Sequence, residues 1–269
     1  MIRTIVTGVS GRMGNQVIRA VRDADGLRLV GATERPGTPA IGLDVGLVAH
    51  LGMMEVPIGD DLGKAIEAAG KVDVVIDFTQ FEASVAHAGI CAQHGVGLVV
   101  GSTGFTHEAR AAMRGFAERI PIVMSPNMSV GVNLMIQVAA QLAEVLGPTY
   151  DVEILELHHR KKVDAPSGTA VRLAEVIAER LGRDPKRDIV TAREGQVGER
   201  PPDQIGIQSL RGGDSVGEHT VLFLGQGERL ELTHRATSRD QFASGAVRAA
   251  RWLVGRAPGL YSMPDVLGF

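Results

Sequence analysis

The sequence predicts an α/β chain: a parallel-sheet domain followed by a smaller α+β domain with a mixed or antiparallel sheet. Three observations lead there. Up to about residue 127, apolar strand-like runs alternate with helical stretches across short connections, as in a parallel sheet covered on both faces. Beyond it, one long helix is followed by strands gathered together. The chain then closes on a helix that can return to the first domain, making that domain discontinuous. The expected division is 1–127 for the first domain, 128–237 for the second, and 238–269 for the returning C-terminal helix.

The strands expected in the first domain are Arg3–Thr7, Leu27–Thr33, Val72–Phe78, Gly97–Val100 and Ile120–Met124. Several are nearly continuous β-branched runs, VDVVIDF above all, which suits strands buried on both faces. Helical periodicity falls between them at Arg12–Asp23, Leu62–Ala69, Glu82–Gln93 and His107–Glu118. A long helix is expected from about Val130 to Leu146, then the strand VEILELH. Next comes a helix opening at Ser167, whose Ala170, Leu173, Ala174, Ile177, Ala178 and Leu181 lie on one face. Residues 182–204 read as a charged, Gly/Pro-rich loop. Strands follow at Ile205–Leu210, His219–Leu224 and Leu230–Thr237, and a final helix at Gln241–Val254.

Composition excludes several classes of function. The net charge of -3 provides no nucleic-acid footprint. No run of about 18 apolar residues stands out, so no membrane association is expected. The start, MIRTIVTGVSG, lacks the apolar region of a signal peptide. A single cysteine, Cys91, fits a reducing compartment, and a cytoplasmic location is expected. Cys91 lies in a helix, where a small buried hydrophobe is expected rather than a nucleophile.

Gly8-Val9-Ser10-Gly11-Arg12-Met13-Gly14 follows an apolar strand and opens a helix. The spacing is G-x-x-G-x-x-G, with Ser10 where a Rossmann-type dinucleotide fingerprint has its middle glycine, so a plain tight turn is the competing reading. Context favours the dinucleotide. Glu34 ends the second strand about 20 residues beyond the last glycine, where an acidic residue binds ribose hydroxyls. Arg35, its neighbour, is placed to meet a 2′-phosphate. The two pull in opposite directions, so both NADH and NADPH are expected to serve. Gly101-Ser102-Thr103 and Ser125-Pro126-Asn127-Met128 follow later strands, at the sheet edge where such folds bind ligands.

The segment Glu156–Ala170, ELHHRKKVDAPSGTA, sets two histidines and three cations in five positions beside a Pro-Ser-Gly-Thr turn. Ser167 is a good N-cap, and the amides near Gly168 and Thr169 suit an anion. This describes a pocket for a small acid that must be protonated. His158 and His159 are adjacent, so either the strand ends between them or only one faces the ligand. With one cysteine and three neighbouring cations, no metal is expected. The histidines at 50, 87, 94, 107, 219 and 234 read mostly as surface or structural. Residues 193–200, REGQVGER, read as either a mobile lid or an exposed loop.

These motifs, with VVIDFT, VGSTGF, VGEHTV and the tail GLYSMPDVLGF, resemble the dihydrodipicolinate reductase family across essentially the whole chain. HHxxKxDAPSGTA is the specific element; Ser102 stands where the family often has a second threonine. The resemblance implies hydride transfer from NADH or NADPH to a cyclic unsaturated imine dicarboxylate, in a homotetramer built through the second domain's sheet. It implies cofactor binding by Gly8, Val9, Ser10, Gly11, Arg12, Met13, Glu34, Arg35, Gly101, Ser102, Thr103, Ser125, Pro126, Asn127 and Met128. By the same resemblance, His158 is a proton donor or acceptor and Lys162 the proton donor, while His159, Gly168 and Thr169 bind substrate carboxylates. Clustered cations are expected to lower one another's pKa and make Lys162 a better acid. The alternatives are a different nicotinamide-dependent reductase of amino-acid synthesis, or a dinucleotide sensor needing neither His158 nor Lys162.

Overall fold

The computed structural model describes all residues, 1–269. In chain order the first elements are β1 (Ile2–Thr7), α1 (Arg12–Asp23), β2 (Leu27–Thr33), α2 (Val45–Val48), β3 (Ile58–Gly59), α3 (Leu62–Ala69), β4 (Val74–Asp77), α4 (Phe81–His94), β5 (Gly97–Val100), α5 (His107–Ala117) and β6 (Pro121–Met124). Then come α6 (Val130–Leu146), β7 (Asp151–His158), α7 (Gly168–Leu181), α8 (Pro185–Asp188), β8 (Ile189–Val190), β9 (Ile205–Arg211), β10 (Gly217–Leu224), β11 (Arg229–Ala236), α9 (Asp240–Leu253), β12 (Gly259–Tyr261) and α10 (Met263–Leu267). Two compact units result, one formed by Met1–Val130 with Arg239–Phe269, the other by Gly131–Ser238.

The first unit holds a seven-stranded sheet in the order β12-β6-β5-β4-β1-β2-β3, every pairing parallel. Strands β4 and β5 are buried along their whole length, which explains their unbroken apolar runs. The chain runs outward from β1 through β2 and β3, then restarts at β4 and runs the other way. The carboxyl ends of β1 and β4 therefore flank the topological switch point, where open α/β sheets place their ligands. On one face α1, through Val17, and α9 pack together over Val6, Val99 and Val123; on the other, α4 and α5 cover Ile5, Val75, Leu98 and Ile122. Cys91 is buried in that second layer, and burial pushes its thiol pKa up, as suits a hydrophobe. The edge strand β12 is three residues long, too short to announce itself by alternation, and its pairing with β6 completes the sheet.

The second unit has a mixed sheet, order β11-β10-β7-β9-β8, antiparallel on the β10 side and parallel on the β9 side. Burial alternates along β7 and β10, so one face is core and the other open. Val152, Ile154, Ile205, Ile207, Val221 and Phe223 meet Leu173 and Ile177 of α7 and Ala139 and Ala143 of α6. By length and composition α6 with its following turn, Val130–Thr149, is apolar enough to cross a membrane. In this fold its Met135, Ala139, Ala140 and Ala143 are core of the second unit.

Candidate functional site

In the first unit a cleft of about 490 Å³ opens at the switch point. It is lined by Gly8 and Gly11 of the glycine-rich loop, Thr33, Glu34 and Arg35 after β2, and Phe78, Thr79, Gln80 and His87 beyond β4. Gly8 adopts φ +64°, and a Cβ there would stand 2.7 Å from Thr79 Cγ2. A Cβ on Gly14 would stand 2.1 Å from the Gly8 carbonyl oxygen, so only glycine lets α1 start this close to β1. The α1 N-cap is Gly11, which offers no side-chain cap, and the first turn carries no acid. Its orphan amides and dipole are thus left for an external anion.

Glu34 crosses to the glycine-rich loop: Oε2 accepts from the Ser10 amide (2.9 Å) and hydroxyl (2.8 Å), and Oε1 from the Arg35 amide (2.8 Å). Burial works against its charge, yet the Arg35 and Ser10 donors outweigh it and hold the carboxyl below its ordinary value. Gly8, Gly11, Glu34 and Arg35 therefore converge, with Ser10 beside them. Arg12 is exposed on the first turn of α1, Met13 half-buried, and Val9 is core.

The remaining residues expected around a cofactor divide. Thr103 and Pro126 are exposed at the ends of β5 and β6. Ser102 is buried and bonds Ser84 (2.7 Å), Ser125 donates to the Asn127 carbonyl (3.0 Å), Asn127 Oδ1 accepts from the Ser129 amide (2.9 Å), and Met128 is core. These side chains shape the turns from inside. Gly101 has Phe78 against it, with ring atoms 2.1 Å from where a Cβ would be. The sequence reading missed Thr79, whose hydroxyl and amide both donate to the buried Asp77 carboxylate (2.6 and 2.7 Å), and His87, whose Nδ1 lies 2.7 Å from Asp77. The strand-end rule used for β5 and β6 applies equally to β4 and would have found Thr79.

In the second unit β7 ends at His158, so the strand stops between the two histidines. His158 is 9 % exposed and its Nδ1 lies 2.6 Å from Glu156 Oε2. Glu156, 1 % exposed, also accepts from both Arg211 amino groups (2.8 and 2.7 Å) and from the Ser167 amide (3.1 Å). Burial raises its pKa, but bonds from Arg211, Ser209 and His158 prevail and hold it at about 2. Burial lowers the His158 pKa, Glu156 opposes this, and Lys162 and Arg211 reinforce it. The net effect favours the neutral imidazole.

Lys162 is not set among cations alone, as the sequence suggested. Its Nζ donates to both Asp164 oxygens at 2.8 Å, because the turn after β7 folds Asp164 back onto it. His159 donates its amide to Ser215 O, and its Nδ1 is buried without a hydrogen-bond partner. Ser167 caps α7 through the Ala170 amide (3.2 Å), which places Gly168 and Thr169 in the first turn. The Ser167 hydroxyl also meets His219 Nε2 at 2.9 Å. His219, 4 % exposed, stands edge-on to His158 with ring centroids 5.2 Å apart, and burial with this neighbour pushes its pKa down to about 4. It is a member of the site that the sequence reading set aside. Glu156 was legible in principle, since residues two apart on a strand share a face with each other. No group of three or more His, Cys, Asp or Glu side chains converges as a metal set. The 193–200 segment is an exposed loop tied at both ends, Arg193 to Glu153 (2.9 and 2.8 Å) and Arg200 to Glu153 and Asp151 (3.0 and 2.6 Å).

Residues 2–128 match the family described as dihydrodipicolinate reductase, N-terminus, and residues 131–267 that described as dihydrodipicolinate reductase, C-terminus. The chain is 62% identical to the 4-hydroxy-tetrahydrodipicolinate reductase of Myxococcus xanthus (strain DK1622), covering 100% of this chain and 98% of the relative. It is 59% identical to that of Anaeromyxobacter dehalogenans (strain 2CP-C), with the same coverage. Among solved structures, a dipicolinate-bound dihydrodipicolinate reductase from Paenisporosarcina sp. TG-14 superposes with TM-score 0.78 at 28% identity, over 98% of each chain.

Proposed function

The chain belongs to the dihydrodipicolinate reductase family, and on that premise we propose that it reduces 4-hydroxy-tetrahydrodipicolinate, by way of dihydrodipicolinate, to tetrahydrodipicolinate. The reaction is the NAD(P)H-dependent step of diaminopimelate and lysine biosynthesis. The observation that carries this reading is the meeting, in the second unit, of His158, Lys162 and the Ser167-capped start of α7. A dicarboxylate that must gain a proton needs this combination of an acid and an anion-binding helix end.

The cleft of the first unit fits a dinucleotide, because the first turn of α1 is uncapped and Gly14 allows backbone to come close. There Gly8, Ser10, Gly11, Arg12 and Met13, with the backbone of core residue Val9, would hold the pyrophosphate, and Glu34 and Arg35 would meet the adenosine ribose. The turns Gly101 to Thr103 and Ser125 to Met128 would wall the nicotinamide end, with Thr103 and Pro126 exposed and Ser102, Ser125, Asn127 and Met128 shaping the turns from inside. When bound, the reduced nicotinamide supplies a hydride. With that hydride delivered to the conjugated ring, the role of Lys162 Nζ would be to donate the accompanying proton to carbon. His158 exchanges a proton at Nε2, its Nδ1–H being committed to Glu156. His159 and the first turn of α7 at Gly168 and Thr169 hold the carboxylates.

The reading extends to a homotetramer in the cytoplasm. Its support is the open face of the second sheet, where Leu155, Leu157 and Leu210 lie together across β7 and β9, Leu155 37% and Leu210 52% exposed. The reaction is tested by following oxidation of NADH and NADPH with cyclic substrate made fresh from pyruvate and aspartate semialdehyde. Substrate-dependent oxidation that pyridine-2,6-dicarboxylate inhibits competitively is expected. Cofactor binding without turnover would leave the dinucleotide sensor as the better reading.

A further inference from the structure

We propose that Glu156 is the positioning residue of the proton-transfer site: it fixes which nitrogen of His158 is open and ties that imidazole to the start of α7. The proposal deepens the function above and rests on the assignment of His158 made there.

Five donors reach the Glu156 carboxylate, the Ser209 side chain among them. Oε2 accepts from His158 Nδ1 (2.6 Å) and Arg211 Nη1 (2.8 Å), Oε1 from Arg211 Nη2 (2.7 Å) and the Ser167 amide (3.1 Å). An ionised carboxylate has about four lone-pair sites, so none is left for a ligand. Glu156 therefore acts through other residues. Being an acceptor only, it requires His158 to carry its neutral-state proton on Nδ1. Nε2 is then the atom that takes or gives a proton.

The space in front of Nε2 is also kept open by the fold. A Cβ at position 217, on β10, would lie 2.8 Å from that nitrogen, and residue 217 is glycine. The same carboxylate reaches beyond the histidine. Arg211 donates onward to the Asp164 carbonyl (2.9 Å), and the Ser167 amide belongs to the N-cap of α7. One ion pair, its carboxylate buried and its guanidinium half-buried, thus sets the strand end carrying His158, the turn carrying Lys162 and Asp164, and the helix start.

The groups facing His158 are Glu156 on its own strand, Arg211 on β9, His219 on β10, and Lys162 with its partner Asp164 in the turn. Glu156 and Arg211 have opposite effects on the imidazolium, so their removal must move its titration in opposite directions. The tautomer of His158, which charge alone does not fix, separates positioning from a purely structural role.

The experiment is a ¹⁵N titration of histidine-labelled protein, with the His158 signals identified by their loss in His158→Gln. Wild type is expected to show a protonated Nδ1 and a pyridine-like Nε2 in the neutral form. Glu156→Gln should mix the tautomers and lower the His158 midpoint, and Arg211→Gln should raise it. The matching limb of the kcat/KM profile should follow both shifts, with kcat for Glu156→Gln down at least tenfold and cofactor KM unchanged. Because either single variant leaves a buried group unpaired and can fail to fold, Glu156→Gln/Arg211→Met is the companion, pairing a neutral amide with an apolar side chain. It should recover thermal stability but not kcat. A wild-type Nε2–H tautomer, midpoints that do not part in opposite directions, or recovered kcat in the double variant would each overturn the proposal. Normal turnover in His158→Gln would instead overturn the assignment of His158, and the two failures are separable because the tautomer is read without turnover.

Discussion

The two sites are built in contrasting ways. The cleft of the first unit is made chiefly of backbone and small residues: Gly8 at φ +64°, Gly14 against the Gly8 carbonyl, an uncapped helix start, and charges at the rim on Glu34 and Arg35. The site of the second unit is made of buried charge: Glu156 at 1 % exposure, with Arg211, His158 and His219 packed around it. A backbone site depends on close approach and is damaged by added atoms. A buried ionic site depends on every partner being present, and is damaged by removing one or by changing its protonation.

The largest effect should come from the ionic site. Lys162→Ala is expected to lower kcat by roughly 10²–10⁴, or about 3–5 kcal/mol of transition-state stabilisation, with cofactor affinity little changed. Steady-state kinetics at saturating cofactor decides it. Near-normal kcat would remove Lys162 from the mechanism.

Acid should expose the same contrast in stability. Glu156, held at about 2, contributes stability that is complete above the ordinary glutamate pKa and is lost as pH falls through 2. His219, held neutral down to about 4, contributes stability that is complete above about 6.5 and is lost as pH falls toward 4. Each shift corresponds to about 3 kcal/mol if the whole difference is realised. Denaturant unfolding across pH 7 to 3 should therefore show falling stability below about pH 6.5, an upper phase that His219→Gln reduces and to which His158 and His234, also lowered by burial, contribute. A curve flat between those limits would show that the histidine is not held neutral by the fold.

Gly14→Ala tests the backbone site by adding one atom. The new Cβ meets the Gly8 carbonyl at 2.1 Å, a contact that only a backbone shift can relieve. Overpacking of this kind costs about 1–3 kcal/mol, so melting temperature and dinucleotide affinity should fall together while kcat at saturating cofactor is kept. Unchanged affinity would place the pyrophosphate away from the start of α1.

The smallest effect belongs to the rim. Glu34 repels a 2′-phosphate and Arg35 attracts it, so NADH and NADPH should differ by no more than about tenfold in kcat/KM. Arg35→Ala should penalise NADPH by a few-fold, and added salt should narrow the gap by screening an exposed contact. A thousandfold preference for either cofactor would mean that one of the two side chains points away from the ribose.

Much of this was legible along the chain because the interactions responsible are local. The unbroken apolar runs of β4 and β5, the periodicity of α7 and the Ser167 cap concern residues within a few positions of one another, and backbone geometry alone converts them into strands, a helix and a helix start. The glycine-rich turn and Glu34 were legible too, because a βαβ unit fixes their spacing. What the tertiary structure alone decided lies between residues far apart. Arg211 reaches Glu156 across 55 positions, His219 reaches Ser167 across 52, and β12 finds β6 after more than a hundred residues. No periodicity announces such partners: a buried charge is stable only where the topology brings it counter-charges and donors, and a three-residue edge strand only where a sheet already exists to receive it. Sequence therefore indicated which chemistry the chain carries, and the fold determined that Arg211 and His219, far along the chain, would close around Glu156, His158 and the helix start.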